Sequence, residues 1–203
     1  MAEAPGLHPS PINFLETSVI RTAFLVAFAL PFVGSAQTGS VSGSLGVDVV
    51  WTGIAGHQTL LLGGHASLRV GPRISVGGFG YGMPASIRLV EGAVPEDLRL
   101  GYGGLMLGLD LVSTKSLGLR GSLLFGAANA QIRAQPIGNQ LGSDNFLVAE
   151  PRLSLYAPQG SRLSGALEAG YRFVAGVEDL PRLDTHDLRG WTLALSLSVG
   201  GLR

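Results

Sequence analysis

The sequence predicts an all-β protein, an eight-stranded antiparallel up-and-down transmembrane β-barrel that follows a cleaved signal peptide. Three observations predict this fold class. Glycine is unusually common, at 31 of 203 residues, which suits strands that approach each other closely. Charged residues make up 14% of the chain, about half the share usual in soluble domains. After residue 37, apolar residues alternate with small or polar ones, and this period of two is typical of strands with two different faces.

The N-terminal region carries the pattern of a secretory signal peptide over residues 19–36. Arg21 supplies a positive charge, residues 23–33 form a short apolar stretch, and Gly34 and Ala36 suit a cleavage site before Gln37. The apolar stretch is shorter than the ~20 residues of an ordinary membrane-spanning helix. The alternative is a short buried helix. We expect residues 1–18 to be a non-native or unstructured extension and residues 37–203 to form the barrel.

Eight segments of the expected mature chain show the alternation, and each suits a tilted membrane-spanning strand of ~9–11 residues. In the last one, every second residue is large and apolar, namely Trp191, Leu193, Leu195, Leu197 and Val199. Short turns alternate with longer connections at about residues 83–97, 131–145 and 177–188, as in outer-membrane barrels, although the first connection, Gly53 to Gly56, is short and lies on the long-connection side. Pro151 lies inside a segment and predicts a β-bulge, because proline cannot donate to the strand ladder.

The face opposite the leucines is rich in serine, glycine and threonine and carries a few charges. An eight-stranded barrel is just wide enough for side chains to fill it, so we expect this face to plug the lumen. Four basic and four acidic residues predict ion pairs there, because an unpaired buried charge is costly. The alternative interpretation is a polar pathway or proton relay. The expected network consists of Asp48, His65, Arg69, Asp110, Arg120, Glu150, Arg152, Glu168 and Arg172.

Aromatic residues lie near the long-connection ends of the segments. Amphipathic rings prefer the headgroup level of a membrane, so the sequence predicts an interfacial aromatic girdle at that end. The expected members are Trp51, Tyr81, Tyr102, Phe146, Tyr171, Phe173 and Trp191.

Composition argues against several other classes of protein. The absence of cysteine excludes disulfides, thiolate nucleophiles and cysteine-bound metals. Lys+Arg and Asp+Glu both number 14, which disfavours nucleic-acid binding. His57 and His186 fall in expected outer connections, His186 near Asp184 and Asp187, where a His–acid pair could be catalytic or bind a metal weakly. No Gly-x-Ser-x-Gly motif is present. We therefore expect no enzymatic activity, no catalytic residue, no metal and no cofactor.

Six short segments carry a family resemblance: Leu62–Leu68, Ser75–Met83, Leu100–Leu107, Phe146–Pro151, Gly170–Val177 and Leu188–Gly190. Over about residues 60–200, the chain resembles uncharacterised outer-membrane β-barrel proteins common in Bacteroidetes-like bacteria. The resemblance implies a small barrel in the bacterial outer membrane. It carries no assigned activity and no catalytic residues.

The sequence thus predicts a small outer-membrane barrel with a plugged polar lumen and a structural or surface-interaction role through extracellular loops. The alternatives are a ligand-binding, transporting or lipid-modifying barrel, and a secreted soluble β-barrel that binds an apolar ligand. Expected partners are outer-membrane lipid and lipopolysaccharide, and the barrel-insertion machinery during assembly. We expect a monomer that does not bind nucleic acid.

Overall fold

The computed structural model describes residues 42–89, 96–114, 116–134, 140–157, 163–178, 180 and 183–202. The expected extension and signal peptide, residues 1–36, lie outside this described part. Nine strands and one short helix follow each other along it: β1 (Ser42–Ile54), β2 (His57–Val70), β3 (Ile74–Gly82), β4 (Ile87–Leu89), β5 (Glu96–Ser113), β6 (Gly118–Ala134), β7 (Gln140–Tyr156), β8 (Leu163–Ala175), α1 (Thr185–Leu188) and β9 (Gly190–Leu202).

Eight long strands close into an antiparallel barrel. Each pairs with its sequence neighbours, β3 pairs with β5, and β1 pairs with β9 to complete the ring. The predicted eight-stranded antiparallel barrel is confirmed. We call the end with the β1–β2, β3–β5, β6–β7 and β8–β9 connections the outer end, and the opposite end the inner end. Among the described residues, no helix is long and apolar enough to span a membrane.

Alternation along each strand separates an apolar exterior from a buried interior. On β9, Leu193, Leu195 and Leu197 are half or more exposed, whereas Thr192, Ala194 and Ser196 between them are buried. From Trp191 to Val199 this apolar stripe runs along about 26 Å of strand, at ~3.3 Å per residue. Water would penalise so much exposed leucine, but the hydrocarbon interior of a membrane accepts it. The closed ring satisfies the backbone groups that lipid cannot.

Three strands rise beyond the others at the outer end. β5, β6 and β7 have 17 or 18 residues each, against 9 to 14 for the other long strands. The short β4 pairs with the start of β5 and widens this part of the sheet. We call β4 together with residues 96–101, 129–134 and 140–146 the outer extension. The expected long connections at 83–97 and 131–145 are therefore partly strands. Glu96 and Asp144, expected in these connections, lie on strands and are buried.

Two local features depend on backbone geometry. The β1–β2 hairpin turns on Ala55 and Gly56, whose φ angles are 49° and 75°, as in a type I′ turn. The prediction of a β-bulge at Pro151 is wrong. The pairing of β7 with β6 and with β8 has the same register on both sides of Pro151. Residues 150–151 of β7 do not pair with β8, and the pairing continues from Arg152 without an inserted residue. The missing backbone N–H of Pro151 therefore interrupts the ladder without changing its register. The register shifts lie elsewhere, between Gly43 and Ser44, Asp110 and Val112, and Ile132 and Arg133.

Candidate functional site

Arg152 is the centre of a buried polar network that crosses the middle of the barrel. Its Nε donates to Glu150 Oε1 at 2.7 Å, and its Nη1 donates to Glu168 Oε2 at 3.1 Å. Nη1 also lies 3.0 Å from the hydroxyl of Tyr81, and the guanidinium stacks over that ring. Both Arg152 and Glu150 side chains are at most 1% exposed. One guanidinium thus neutralises two interior carboxylates.

Hydroxyl groups extend this network to strands on both sides. Tyr102 donates to Glu150 Oε2 at 2.9 Å, and Thr192 donates to Glu150 Oε1 at 2.7 Å. Tyr81 donates to Asp48 Oδ2 at 3.0 Å, and the same oxygen lies 2.9 Å from His65 Nδ1. Seven of the eight long strands therefore meet in one layer, because these side chains come from β1, β2, β3, β5, β7, β8 and β9. The layer locks the strands into one register around the ring.

A second charged layer lies toward the inner end. Asp110 accepts from Arg69 at 2.8 Å and from Arg120 at 2.6 Å, and Arg120 stacks over the ring of Tyr156. Serine hydroxyl pairs such as Ser44–Ser67 surround it. A pocket at this mouth, lined by Ser42, Ser44, Arg69 and Arg120 among others, has a volume of about 10 Å³, room for about one water molecule. The inner half of the lumen is therefore filled by its own polar face.

The outer half of the interior is mainly apolar, contrary to the expectation of a polar lumen throughout. Its buried side chains include Val50, Ile54, Leu61, Leu98, Leu100, Ala130, Ile132, Phe146, Val148 and Val174. Leu180 and Leu188, from the β8–β9 connection, complete this cluster from above. The apolar residues and the residues of the polar network occupy the same alternate positions along each strand. The alternation alone therefore identifies the inward face but does not show whether that face is polar or apolar. The cluster closes the barrel above the charged layers.

Arg172 forms hydrogen bonds with the β8–β9 connection, which covers this cluster. Its Nε donates to the carbonyl oxygen of Leu188 at 2.8 Å, and its Nη2 donates to that of Gly53 at 3.1 Å. The backbone N–H of Ala55 donates to the carbonyl of Asp187 at 2.8 Å and adds a second link. Arg172 Nη1 is buried without a hydrogen-bond partner among the described residues. Arg172 therefore holds backbone carbonyls rather than an acidic partner, although it shares a face of β8 with Glu168.

The nine residues expected in the lumen network all have inward parity on their strands, and they divide into the two layers and the Arg172 contact. The expected aromatic girdle divides differently. Trp51, Phe173 and Trp191 are exposed on the exterior near the outer end, and the ring of Tyr171 packs against both Phe173 and Trp191. These four rings lie on β1, β8 and β9.

Three expected girdle members are inside the barrel, which corrects their assignment. Tyr81, Tyr102 and Phe146 are at most 6% exposed. On β5 and β7, Tyr102 and Phe146 have the opposite parity to the exposed leucines, so their rings must point inward. Tyr81 follows a glycine-rich stretch of β3 in which parity is hard to read. With Phe79, the two tyrosines form an interior aromatic cluster with centroids 5.4–5.9 Å apart.

Several functional contacts escape sequence reasoning. The Tyr81 hydroxyl bridges Asp48 and Arg152, which are more than 100 residues apart, and Thr192 completes the shell of Glu150. A tyrosine at an inward position, on the same face as charged residues, is the signal from which the contacts of Tyr81 could have been predicted. No sequence signal marks Thr192 among the other small polar residues of β9.

The two acids next to His186 form hydrogen bonds with the backbone around α1. Asp184 Oδ1 accepts from the backbone N–H groups of His186 and Asp187, and Asp187 Oδ2 accepts from the backbone of Asp184. Both carboxylates thus cap α1 as a capping box. Within the described ranges, no group of three or more His, Asp or Glu side chains could hold a metal ion.

Comparison with solved structures identifies the architecture. Neisserial surface protein A superposes with a TM-score of 0.56 at 10% sequence identity, covering 79% of this chain and 97% of that one. The chain has the fold of the small outer-membrane barrels. The Yersinia pestis attachment invasion locus protein Ail, solved with the heparin analogue sucrose octasulfate, gives a TM-score of 0.49 at 14% identity over 79% of this chain and 97% of that one. The N-terminal β-barrel domain of Pseudomonas aeruginosa OprF gives 0.46 at 13% identity, covering 77% and 96%.

No family model and no curated protein matches the sequence. The location follows from fold and surface together. A closed eight-stranded barrel with a continuous apolar exterior is the structure that bacterial outer membranes contain. Because the longer connections of such barrels lie on the extracellular side, we expect the outer end, which has the outer extension and the β8–β9 connection, to face that side.

Proposed function

We propose that this chain is a monomeric, closed outer-membrane barrel that presents its outer extension for interaction at the cell surface and does not conduct solutes. The observation that carries the proposal is the filled interior. Two charged layers occupy the inner and central lumen, and the apolar cluster under the Arg172 contact occupies the outer part. Opening a path through this interior would unpair buried charges, which costs several kcal/mol per ion.

Conductance tests this proposal directly. The purified protein is refolded into planar bilayers, with a general porin as positive control and with the Arg172→Ala variant, which loses the links to Leu188 and Gly53. We expect no stable conductance steps from the wild type. Stable channels of porin size in the wild type would overturn a closed barrel.

A lipid-modifying activity is the enzymatic alternative. The capping role of Asp184 and Asp187 supports a barrel without hydrolase function, because both acids next to His186 are engaged by backbone. Mass spectrometry of lipid A after expression tests this alternative. An unchanged lipid A spectrum is expected, and a mass shift lost in His186→Ala would contradict the proposal.

A soluble barrel that carries an apolar ligand needs an apolar cavity and a polar exterior. This chain has a filled interior and an exterior of exposed leucine, which supports the membrane form. We further propose, from the motifs Phe146–Pro151 and Gly170–Val177, that it belongs with the uncharacterised barrels of Bacteroidetes-like lineages. Cell fractionation with a heat-modifiable gel shift is the test of location. Recovery of the mature chain in the soluble periplasmic fraction would contradict the proposal.

A further inference from the structure

Three arginines lie together on the outward face of the outer extension. Arg88 on β4 and Arg133 on β6 both pair with Asp97 of β5, so they flank it in one rung of the sheet. Arg99 is two residues further along β5 and lies in the next rung on the same face, opposite Gln131. All three arginine side chains are exposed. Three guanidiniums and one carboxylate, that of Asp97, thus share two neighbouring rungs.

A ladder of amides holds part of this face in place. Arg133 Nη2 donates to Gln131 Oε1 at 3.3 Å, and Gln131 Nε2 donates to Asn129 Oδ1 at 3.0 Å. Asn129 Nδ2 in turn lies 3.0 Å from Asn145 Oδ1 on β7. The amides reduce the freedom of the Arg133 side chain before any ligand arrives. A preorganised guanidinium loses less entropy when it binds a phosphate in a bidentate geometry.

The position of the arginines on the barrel favours a lipid phosphate over a free phosphate as their ligand. Along β5, Leu105 and Leu107 are exposed on the same face as Arg99, further toward the inner end. On β6, Phe125 is exposed below Arg133 in the same way. Arg99 lies six residues beyond Leu105 on β5, and Arg133 lies eight residues beyond Phe125 on β6, so the arginines lie outward of the apolar band on these strands. On this side of the apolar band the lipid headgroups of an outer leaflet begin.

An apolar groove opens beside the arginines. It has a volume of about 380 Å³ and is lined by Trp51, Gln58, Thr59, Leu60, Pro84 and Ala85. Leu62 of β2 pairs with Gly82 of β3, which pairs with Gly101 of β5. Two residues further toward the outer end on each strand are Leu60, Pro84 and Arg99, so Arg99 lies level with two residues that line the groove. A free phosphate would use the arginines alone. A lipid that carries both phosphate and acyl chains would use the arginines and the groove.

We propose that the outer extension binds a phosphorylated glycolipid of the outer leaflet, with Arg88, Arg99 and Arg133 contacting its phosphates and the groove accommodating part of an acyl chain. The inference rests on the outer-membrane location argued above. It assigns the outer extension a partner of defined chemistry, a lipid of the lipid A type.

Binding of lipid A to the refolded full-length chain in detergent micelles tests the inference. Three probes are compared by native mass spectrometry and titration: bisphosphoryl lipid A, its dephosphorylated form, and its deacylated phosphorylated disaccharide. The variant is Arg99→Gln/Arg133→Gln, and the matched control is Arg73→Gln, an exposed arginine in the β2–β3 turn at the inner end. Heat-modifiable migration verifies that each variant folds.

The wild type and Arg73→Gln should bind bisphosphoryl lipid A at least tenfold more tightly than either other probe. The double variant should lose at least tenfold in affinity for bisphosphoryl lipid A and little for the dephosphorylated form. Equal binding of the phosphorylated and dephosphorylated lipids, or no effect of the double variant, would overturn the inference. Equal binding of the disaccharide would show an anion site without lipid recognition and would overturn it too. The membrane location is tested separately by fractionation, so a failure of lipid A binding in a heat-modifiable barrel overturns the inference alone.

Discussion

Glu150 and Arg152, two residues apart on β7, form an ion pair of 2.7 Å that is buried inside a barrel whose exterior is apolar. Residues i and i+2 of a strand point to the same side, so β7 supplies both partners from one face. Arg152 has a second interior carboxylate, Glu168 of β8, at 3.1 Å. The pair is therefore the centre of a charge arrangement that depends on one guanidinium.

Replacing Arg152 should destabilise the barrel strongly. Arg152→Met leaves the buried Glu150 and the half-buried Glu168 without their cation, and removal of one partner of a buried pair costs about 3–5 kcal/mol. The free energy of unfolding is measured by urea titration in phospholipid vesicles.

The matched control for this prediction is Arg69→Met. Asp110 keeps Arg120 at 2.6 Å in that variant, and the Arg69 side chain is 26% exposed. We expect a loss of about 1 kcal/mol or less, because Asp110 retains Arg120 and the exposed part of Arg69 is screened by solvent. Equal losses in the two variants would contradict a central role for Arg152.

Arg172 should control the order of the β8–β9 connection. Arg172→Met removes two charge-assisted hydrogen bonds, to the carbonyls of Leu188 and Gly53, each worth about 1.5–3 kcal/mol. Proteinase K should then cut near α1 at least tenfold faster, since 1.4 kcal/mol corresponds to a factor of ten. Cleavage is followed by mass spectrometry, with Arg73→Met as the control at the opposite end. An unchanged cleavage rate at α1 would show that Arg172 does not hold the connection.

The β1–β2 hairpin offers a stabilising substitution. Ala55 has a φ of 49°, which is unfavourable for a residue with a Cβ, whereas asparagine tolerates this region and precedes glycine in the preferred type I′ turn. Ala55→Asn keeps the backbone N–H that binds Asp187. It should raise the free energy of unfolding by about 0.5–1 kcal/mol. Gly56→Ala should lower it, because Gly56 has a φ of 75°. A neutral or destabilising Ala55→Asn would argue against the type I′ turn.

The leucine alternation predicts the strands because lipid demands an uninterrupted apolar face, and the same parity identifies inward residues such as Asp48 and Glu150. The outer extension escapes prediction because the outward face of β6 carries Asn129, Gln131 and Arg133 there in place of the leucines of the membrane-spanning part, so these residues look like loop residues. The contact of Tyr81 with Arg152 depends on the heights of β3 and β7 relative to each other, and these strands are not neighbours in the barrel. The alternation within each strand does not determine these relative heights.

Strand packing between β5 and β6 should tolerate no side chain at Gly126. A Cβ there would meet the carbonyl oxygen of Gly103 and lie 2.8 Å from the Cα of Gly104, and these are backbone atoms that cannot rotate away. Gly126→Ala should lower the free energy of unfolding by about 1–3 kcal/mol through overpacking and reduce the yield of heat-modifiable barrel. Gly121→Ala on the same strand is the matched control, because its nearest neighbour would be Leu111 Cδ1 at 3.7 Å, an ordinary contact. We expect the control to change stability by at most about 0.5 kcal/mol. Similar behaviour of the two variants would mean that the close approach of β5 and β6 at Gly126 does not constrain the barrel.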